Sequence, residues 1–240
     1  MKKLMLTCGI DSDETGPRRD LFEFTESTFK PYAKKHGYDY KAAWFDDFDA
    51  SRWPELFFGR TPLWRGHGNR TSPCWLKIPA ISEALESYDF VLYLDHDCVV
   101  LDDSEDAEEA LPSCKSLGML DSFIGGPCVG FVLVRSTPLM KQFWDLAWKI
   151  DAWKTATWTD NGQILALLGF TTTAPAIFLG PTSFSHAFER LPEPWGGVGA
   201  PYGGKPFDCA RIYHAAYHSS PEWKLSVLKG AYDLWQAKRA

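Results

Sequence analysis

Two aspartates one residue apart, Asp95 and Asp97, close the apolar run Phe90–Leu94 in the stretch YDFVLYLDHDCVV. Like charges held this close cost free energy unless a cation lies between them. In extended backbone, residues two apart point to the same side, so both carboxylates can meet one hard divalent ion through oxygen. Two further Asp-x-Asp pairs occur, Asp11/Asp13 and Asp47/Asp49, and both read as solvated loop residues. Only the pair at 95 and 97 ends a buried strand, and ligands of open α/β sheets bind at strand ends. A Mg2+ or Mn2+ ion held by one or two protein carboxylates keeps positions open for substrate phosphates. The chemistry expected here is a metal ion that meets a phosphate-bearing ligand.

Other elements must bring partners to those carboxylates. Lys2–Thr7 reads as a first strand, Phe22–His36 as a helix stopped by Gly37, and Tyr38–Trp44 as a second strand. WLKIPAISEALES then spaces Trp75, Ile78, Ile81 and Leu85 as a helix does. Pro79 fits only in its first turn, which places Lys77 at the helix N-terminus, where the dipole favours an anion. Val129–Val134 is a further strand, Leu139–Ile150 and Asp160–Leu168 are helices, and Arg211–Ala215 is a last strand. Pro221–Lys238 closes the chain as a helix with proline near its start. Strands alternating with helices predict an α/β layered fold with a mostly parallel sheet. With no internal repeat and no dividing linker, residues 1–240 are expected to form a single domain.

Composition narrows the partners. The 240 residues carry a net charge of -6, so a non-specific grip on nucleic acid or on an anionic membrane is not expected. The apolar stretch near the N-terminus is too short for a signal sequence, and no run approaches the roughly 20 apolar residues of a membrane span. The six cysteines are scattered without a Cys-x-x-Cys pair, which reads as reduced thiols and a cytoplasmic location. Aromatic residues make up 15%, with 11 tryptophans, and serve packing first and ligand stacking second. Two segments suit acceptor recognition or a lid: 53–75, rich in Trp and Arg, and the glycine-rich loop around Trp195–Gly204.

FVLYLDHDCVV resembles the Asp-x-Asp strand of the GT-A glycosyltransferases, in particular the retaining families related to glycogenin and to the galactosyl/xylosyltransferases. FKPYAKKHGYDY at 29–40 is similar to their first helix and its His-Gly-Tyr turn. WLKIPAISEALESYDFVLYLDHD at 75–97 resembles their helix-and-strand stretch. CVGFVLVRST at 128–137 resembles a strand in which Asn usually stands where Cys128 does. TDNGQILALL at 159–168 resembles a helix in which Gln usually stands where Asn161 does.

The resemblance implies a Rossmann-like GT-A domain, with a nucleotide-binding half at 1–101 and an acceptor and donor-sugar half at 102–240. It implies a metal-dependent transfer of a hexose or pentose from a nucleotide-diphosphate sugar to an acceptor hydroxyl, with retention; an inverting transfer would instead need a carboxylate base, for which Asp160 is the candidate. Mn2+ or Mg2+ would be the metal, UDP the first donor nucleotide and GDP the second. Asp95 would lie near the ribose and the metal, and Asp97 would bind the metal. A histidine near the C-terminus would complete the ligands, and IYHAAYHSSPEWK offers His214 and His218. Lys224 and Lys77 would contact the diphosphate, Thr7, Cys8 and Gly9 would cradle the nucleoside, and Asp160 and Asn161 would face the donor sugar and acceptor. Two alternatives stand beside this reading. A phosphatase of the haloacid-dehalogenase type also uses Asp-x-Asp at a strand end, and a non-catalytic sugar- or nucleotide-binding protein would need only a degenerate site.

Overall fold

The computed structural model describes residues 1–9, 15–53, 56, 73–121, 126–150, 159–173, 175–198, 210–216 and 220–239. Within them the order is β1 (Lys3–Cys8), α1 (Pro17–His36), β2 (Tyr38–Ala43), α2 (Lys77–Ala84), β3 (Phe90–Leu94), β4 (Cys98–Val100) and β5 (Leu117–Asp121). There follow β6 (Pro127–Arg135), α3 (Pro138–Lys149), α4 (Thr159–Leu168), β7 (Phe188–Arg190), β8 (Gly196–Val198), β9 (Ile212–His214) and α5 (Pro221–Arg239). Helix α1 starts earlier than its apolar pattern suggests, because Pro17 stands at its first turn. It ends at Gly37, which takes the left-handed conformation (φ 70°) and donates its N–H to the Ala33 carbonyl.

The central sheet has the order β2-β1-β3-β6-β5-β7. Strands β2, β1 and β3 pair in parallel, as do β5 and β7, whereas β6 runs antiparallel to both its neighbours. The expected α/β fold with a mostly parallel sheet is therefore the one observed. A smaller sheet of order β4-β9-β8 adjoins it.

The period of two along β3 distributes its side chains between the two cores. Phe90, Leu92 and Leu94 join Phe29, Tyr32 and Ala33 of α1 on one face. Val91 and Tyr93 join Ile78 and Ile81 of α2 and Phe143 and Trp144 of α3 on the other. All five β3 residues are buried. Burial on both faces explains the unbroken apolar run that the sequence shows.

One expectation needs correction. Asp95 and Asp97 do not share a side through extended backbone. The chain turns here, and the Cys98 N–H donates to the Asp95 carbonyl at 3.0 Å. The turn carries the chain from β3 in the large sheet to β4 in the small one, so each aspartate meets a different set of partners. Strands β4, β5, β7 and β8 have no counterpart in the sequence reading. Three of them are three residues long, too short for a periodic signal, and β5 contains Gly118.

Candidate functional site

The site lies where the C-terminal end of β3 meets the N-terminal part of β6 and the end of β9. Asp95 accepts a hydrogen bond from the Tyr93 hydroxyl at 2.7 Å. Lys77, the first residue of α2, places its Nζ 2.9 Å and 3.0 Å from the two Asp95 oxygens and 2.9 Å from an Asp160 oxygen. Lys77 is only 4% exposed, and Asp160 lies buried in the first turn of α4. Lys77 thus ties the end of β3 to the start of α4.

Asp97 looks the other way. Its carboxylate lies 3.0 Å from His214 Nε2 and 2.5 Å from Lys224 Nζ in the first turn of α5. The same Nε2 is 3.8 Å from Asp95. His214 can reach this position because Gly130 stands opposite. A Cβ on Gly130 would lie 2.1 Å from His214 Cε1, well inside contact distance. A glycine within a buried strand marks such a close approach. On its other side the imidazole places Nδ1 3.8 Å from Cys128 Sγ, the position where the resemblance expects asparagine.

The electrostatics follow from this packing. Burial alone would raise the pKa of Asp97, but Lys224 and His214 hold its carboxyl well below the usual range. Burial alone would lower that of His214, but Asp97, helped by Cys128, pushes it up to about 10. Burial pushes the Cys8 thiol up to about 12, with the Asp95 charge adding to the effect. Burial, and after it Asp95, keeps the Tyr93 hydroxyl protonated and able to donate.

The donors fit a hard divalent cation. Two carboxylates and an imidazole suit Mn2+ or Mg2+. His214 Nε2 and the Asp97 carboxylate, 3.0 Å apart, are near enough for one ion to be held between them. Among the described residues, the donor atoms that lie within 4.8 Å of one another are those of Asp97, Cys98 and His214, and Asp95 adjoins this group through His214 Nε2 at 3.8 Å. Burial and the charge of Asp97 hold the Cys98 thiol protonated, and its Sγ is directed at the Gly130 carbonyl at 3.4 Å. A bound metal would have to displace the proton that Asp97 keeps on His214, leaving the carboxylate oxygens and the neutral imidazole as the ligands.

The remaining candidates occupy the surroundings. Thr7, Cys8 and Gly9 end β1, with the Gly9 N–H donating to the Ala43 carbonyl at 3.0 Å. Asn161 accepts the Val129 N–H on its Oδ1 at 3.2 Å, anchoring α4 to β6. His218, most of the 53–75 segment and residues 199–204 of the glycine-rich loop lie outside the described residues. The structure therefore brings together Asp95, Asp97, His214, Lys77, Lys224 and Asp160. The sequence reading missed Tyr93 and Gly130. A buried tyrosine needs a partner for its hydroxyl, and a glycine in the VGFVLV strand implies a close neighbour, so each left a signal.

A mixed α/β sheet with one reversed strand beside an Asp-x-Asp turn defines the GT-A fold of the nucleotide-sugar glycosyltransferases. Among solved structures, the chain is similar to a glycosyltransferase involved in the glycosylation of the major capsid of PBCV-1. That match has TM-score 0.63 and 12% identity over 96% of this chain and 100% of the other. Mouse xyloside xylosyltransferase 1 matches with TM-score 0.51 and 8% identity over 90% and 98% of the two chains. The galactosyltransferase LgtC, in complex with donor and acceptor sugar analogues, matches with TM-score 0.50 and 12% identity over 96% and 95%. At such identities the likeness is one of fold. No family model and no curated protein matches the sequence.

Proposed function

We propose that the protein is a metal-dependent glycosyltransferase that moves a hexose or pentose from a nucleotide-diphosphate sugar to an acceptor hydroxyl. The observation that carries this reading is the convergence of Asp95, Asp97 and His214 at the strand-end edge of a GT-A sheet, with Lys224 beside them. Asp95, Asp97 and His214 would hold Mn2+ or Mg2+, and the bound ion would supply positive charge to the donor's diphosphate.

Lys224 stands beside Asp97 and reaches the same diphosphate, stabilising charge as the sugar leaves. The end of β1, Thr7 to Gly9, receives the nucleoside, with UDP the first candidate and GDP the second. Residues 1–101 form the nucleotide half and 102–240 the sugar and acceptor half. Lys77 acts differently from the sequence expectation of a direct diphosphate contact. Buried between Asp95 and Asp160, it fixes the metal-side carboxylate relative to the sugar-side one. In a transfer with retention, the acceptor's proton would pass to the leaving diphosphate on the same face. Asn161 keeps α4 in register against β6 through the Val129 N–H, and with Asp160 it would face the donor sugar and acceptor. The phosphatase alternative finds no support in these neighbours.

Thermal stability tests the proposal directly. UDP, GDP, CDP and dTDP would each be added with Mn2+ and with EDTA. A ligand present at 100 times its dissociation constant adds about 2.7 kcal/mol. One nucleotide should stabilise the protein in Mn2+ and not in EDTA. Equal shifts with and without metal, or none with any nucleotide, would overturn the reading.

A further inference from the structure

Two thiols flank the imidazole of His214, and the proposed sugar transfer uses neither. Cys98 opens β4, and its partner across the small sheet is His214 on β9. Residues directly opposite each other in an antiparallel pair carry their side chains on one face. The Ala215 N–H donates to the Asp97 carbonyl at 2.9 Å, so backbone hydrogen bonds fix Asp97 and Cys98 beside His214. All three residues are buried, Cys98 completely. The two thiols differ in the edge of the ring that they meet. Cys128 lies 3.8 Å from Nδ1, whereas Nε2 is the nitrogen that faces Asp97 Oδ1 at 3.0 Å.

We propose that Asp97, Cys98 and His214 form an alternative ligand set for a soft divalent cation, Zn2+, which excludes the hard ion from the same place. Thiolate sulfur, imidazole nitrogen and carboxylate oxygen are the ligands zinc takes, and a thiolate selects Zn2+ over Mn2+ or Mg2+. The three donor atoms lie within 4.8 Å of one another, a spacing from which small side-chain adjustments reach bonds of about 2.0–2.3 Å to one ion. Little holds the thiol back. Its present partner is the Gly130 carbonyl at 3.4 Å, and S–H is a weak donor. A coordinated thiol gives up its proton; that proton and the second proton of the imidazole pass to water. Thiolate and carboxylate then balance the dication, which offsets the cost of burying charge here. Lys224 holds the other Asp97 oxygen, Oδ2, and leaves Oδ1 to the ion. Cys128, on the Nδ1 edge, stays outside the shell. Zn2+ and Mn2+ compete because each needs His214 Nε2.

This ligand set shares two residues with the proposed sugar-transfer site, but its test does not depend on sugar transfer. The chain carrying Cys114→Ser, which removes an exposed thiol, is reduced, stripped of metal and loaded with equimolar Zn2+. X-ray absorption at the zinc edge should show sulfur at about 2.3 Å together with an imidazole. Co2+ in place of Zn2+ should give a thiolate-to-cobalt charge-transfer band that added Zn2+ removes. Adding Cys98→Ala should abolish the band and weaken Zn2+ binding at least about tenfold, since even an outer-shell partner is worth about 10–100-fold. Adding Cys128→Ala should leave the band in place. Circular dichroism reports whether each variant is folded, and the zinc-edge spectrum of the parent decides the matter if Cys98→Ala is not. Zn2+ added to the Mn2+-loaded chain should release Mn2+, seen as the return of the free-ion paramagnetic resonance signal. A zinc shell without sulfur, a band that survives Cys98→Ala, a band lost in a folded Cys128→Ala variant, or Mn2+ that stays bound beside Zn2+ would each overturn the proposal. A chain that binds Zn2+ through Cys98 but never Mn2+ would sink the sugar-transfer reading and leave this one standing.

Discussion

Asp97 carries a negative charge into a place shielded from water, and Lys224 and His214 hold it there. Replacing it with asparagine preserves shape and removes the charge. The Asp97→Asn protein should lose the metal-dependent thermal shift. In EDTA it should also be about 3 kcal/mol less stable to urea, the usual cost of breaking a buried ion pair. A variant that keeps the full shift with Mn2+ would take Asp97 out of the site. Gly130 offers a separate probe, because it touches the site only by leaving room. Gly130→Ala should cost about 1–3 kcal/mol through overpacking against His214 and should abolish the metal response. Because His214→Ala removes the clash along with the ion pair, Gly130→Ala should cost little more in that background and neither variant should respond to metal, which denaturant melts with and without Mn2+ would show. The paired carboxylates, Lys224 and a C-terminal imidazole were legible in the sequence because their types and spacing carry the chemistry. Gly130 and Tyr93 were not singled out, because their roles depend on what lies across the sheet. The side-by-side reading of Asp95 and Asp97 failed because one backbone hydrogen bond, Cys98 N–H to Asp95 carbonyl, turns the chain between them.

At the scale of elements, one aspartate away from the site ties three segments together. Asp106 caps a short 3-10 helix at Ala107–Ala110 and accepts from the Glu108 N–H. It also pairs with Lys3 at the start of β1 and with the Tyr38 hydroxyl at the start of β2, each at 2.5 Å. Burial opposes its charge, but Lys3 and Tyr38 outweigh that and hold its pKa below the ordinary carboxylate value. A depressed folded pKa gives stability that is present above the unfolded value of about 3.9 and is lost as pH falls through the folded value. Asp106→Asn should therefore be less stable than wild type by about 1–2 kcal/mol near neutrality. That gap should close below about pH 4, as paired urea titrations at the two pH values would reveal. An equal gap at both would assign the loss to the cap rather than the charge. The long elements, α1, α3, α5 and β3, were readable from periodicity. The acidic stretch after β4 gave no sign of its partners, because Lys3 and Tyr38 lie far away along the chain.

For the whole molecule, the α/β class followed from the alternation of strands and helices. The small sheet did not, since its strands come from three widely separated segments. One arrangement described above bears on how the protein is made. Asp95 and Asp97 leave the ribosome long before His214 and Lys224, which follow more than a hundred residues later. Until those segments arrive, Asp97 has neither of its cations, and burying an unpaired carboxylate is strongly unfavourable. The nascent chain can form β1, β2 and β3 early, but this edge of the sheet must stay wet until residues 214 and 224 have been made. A chain stopped after residue 210 should accordingly leave the end of β3 open to rapid amide exchange while the strand's interior stays protected. His214 and Lys224 thus act as a late latch on charges placed much earlier.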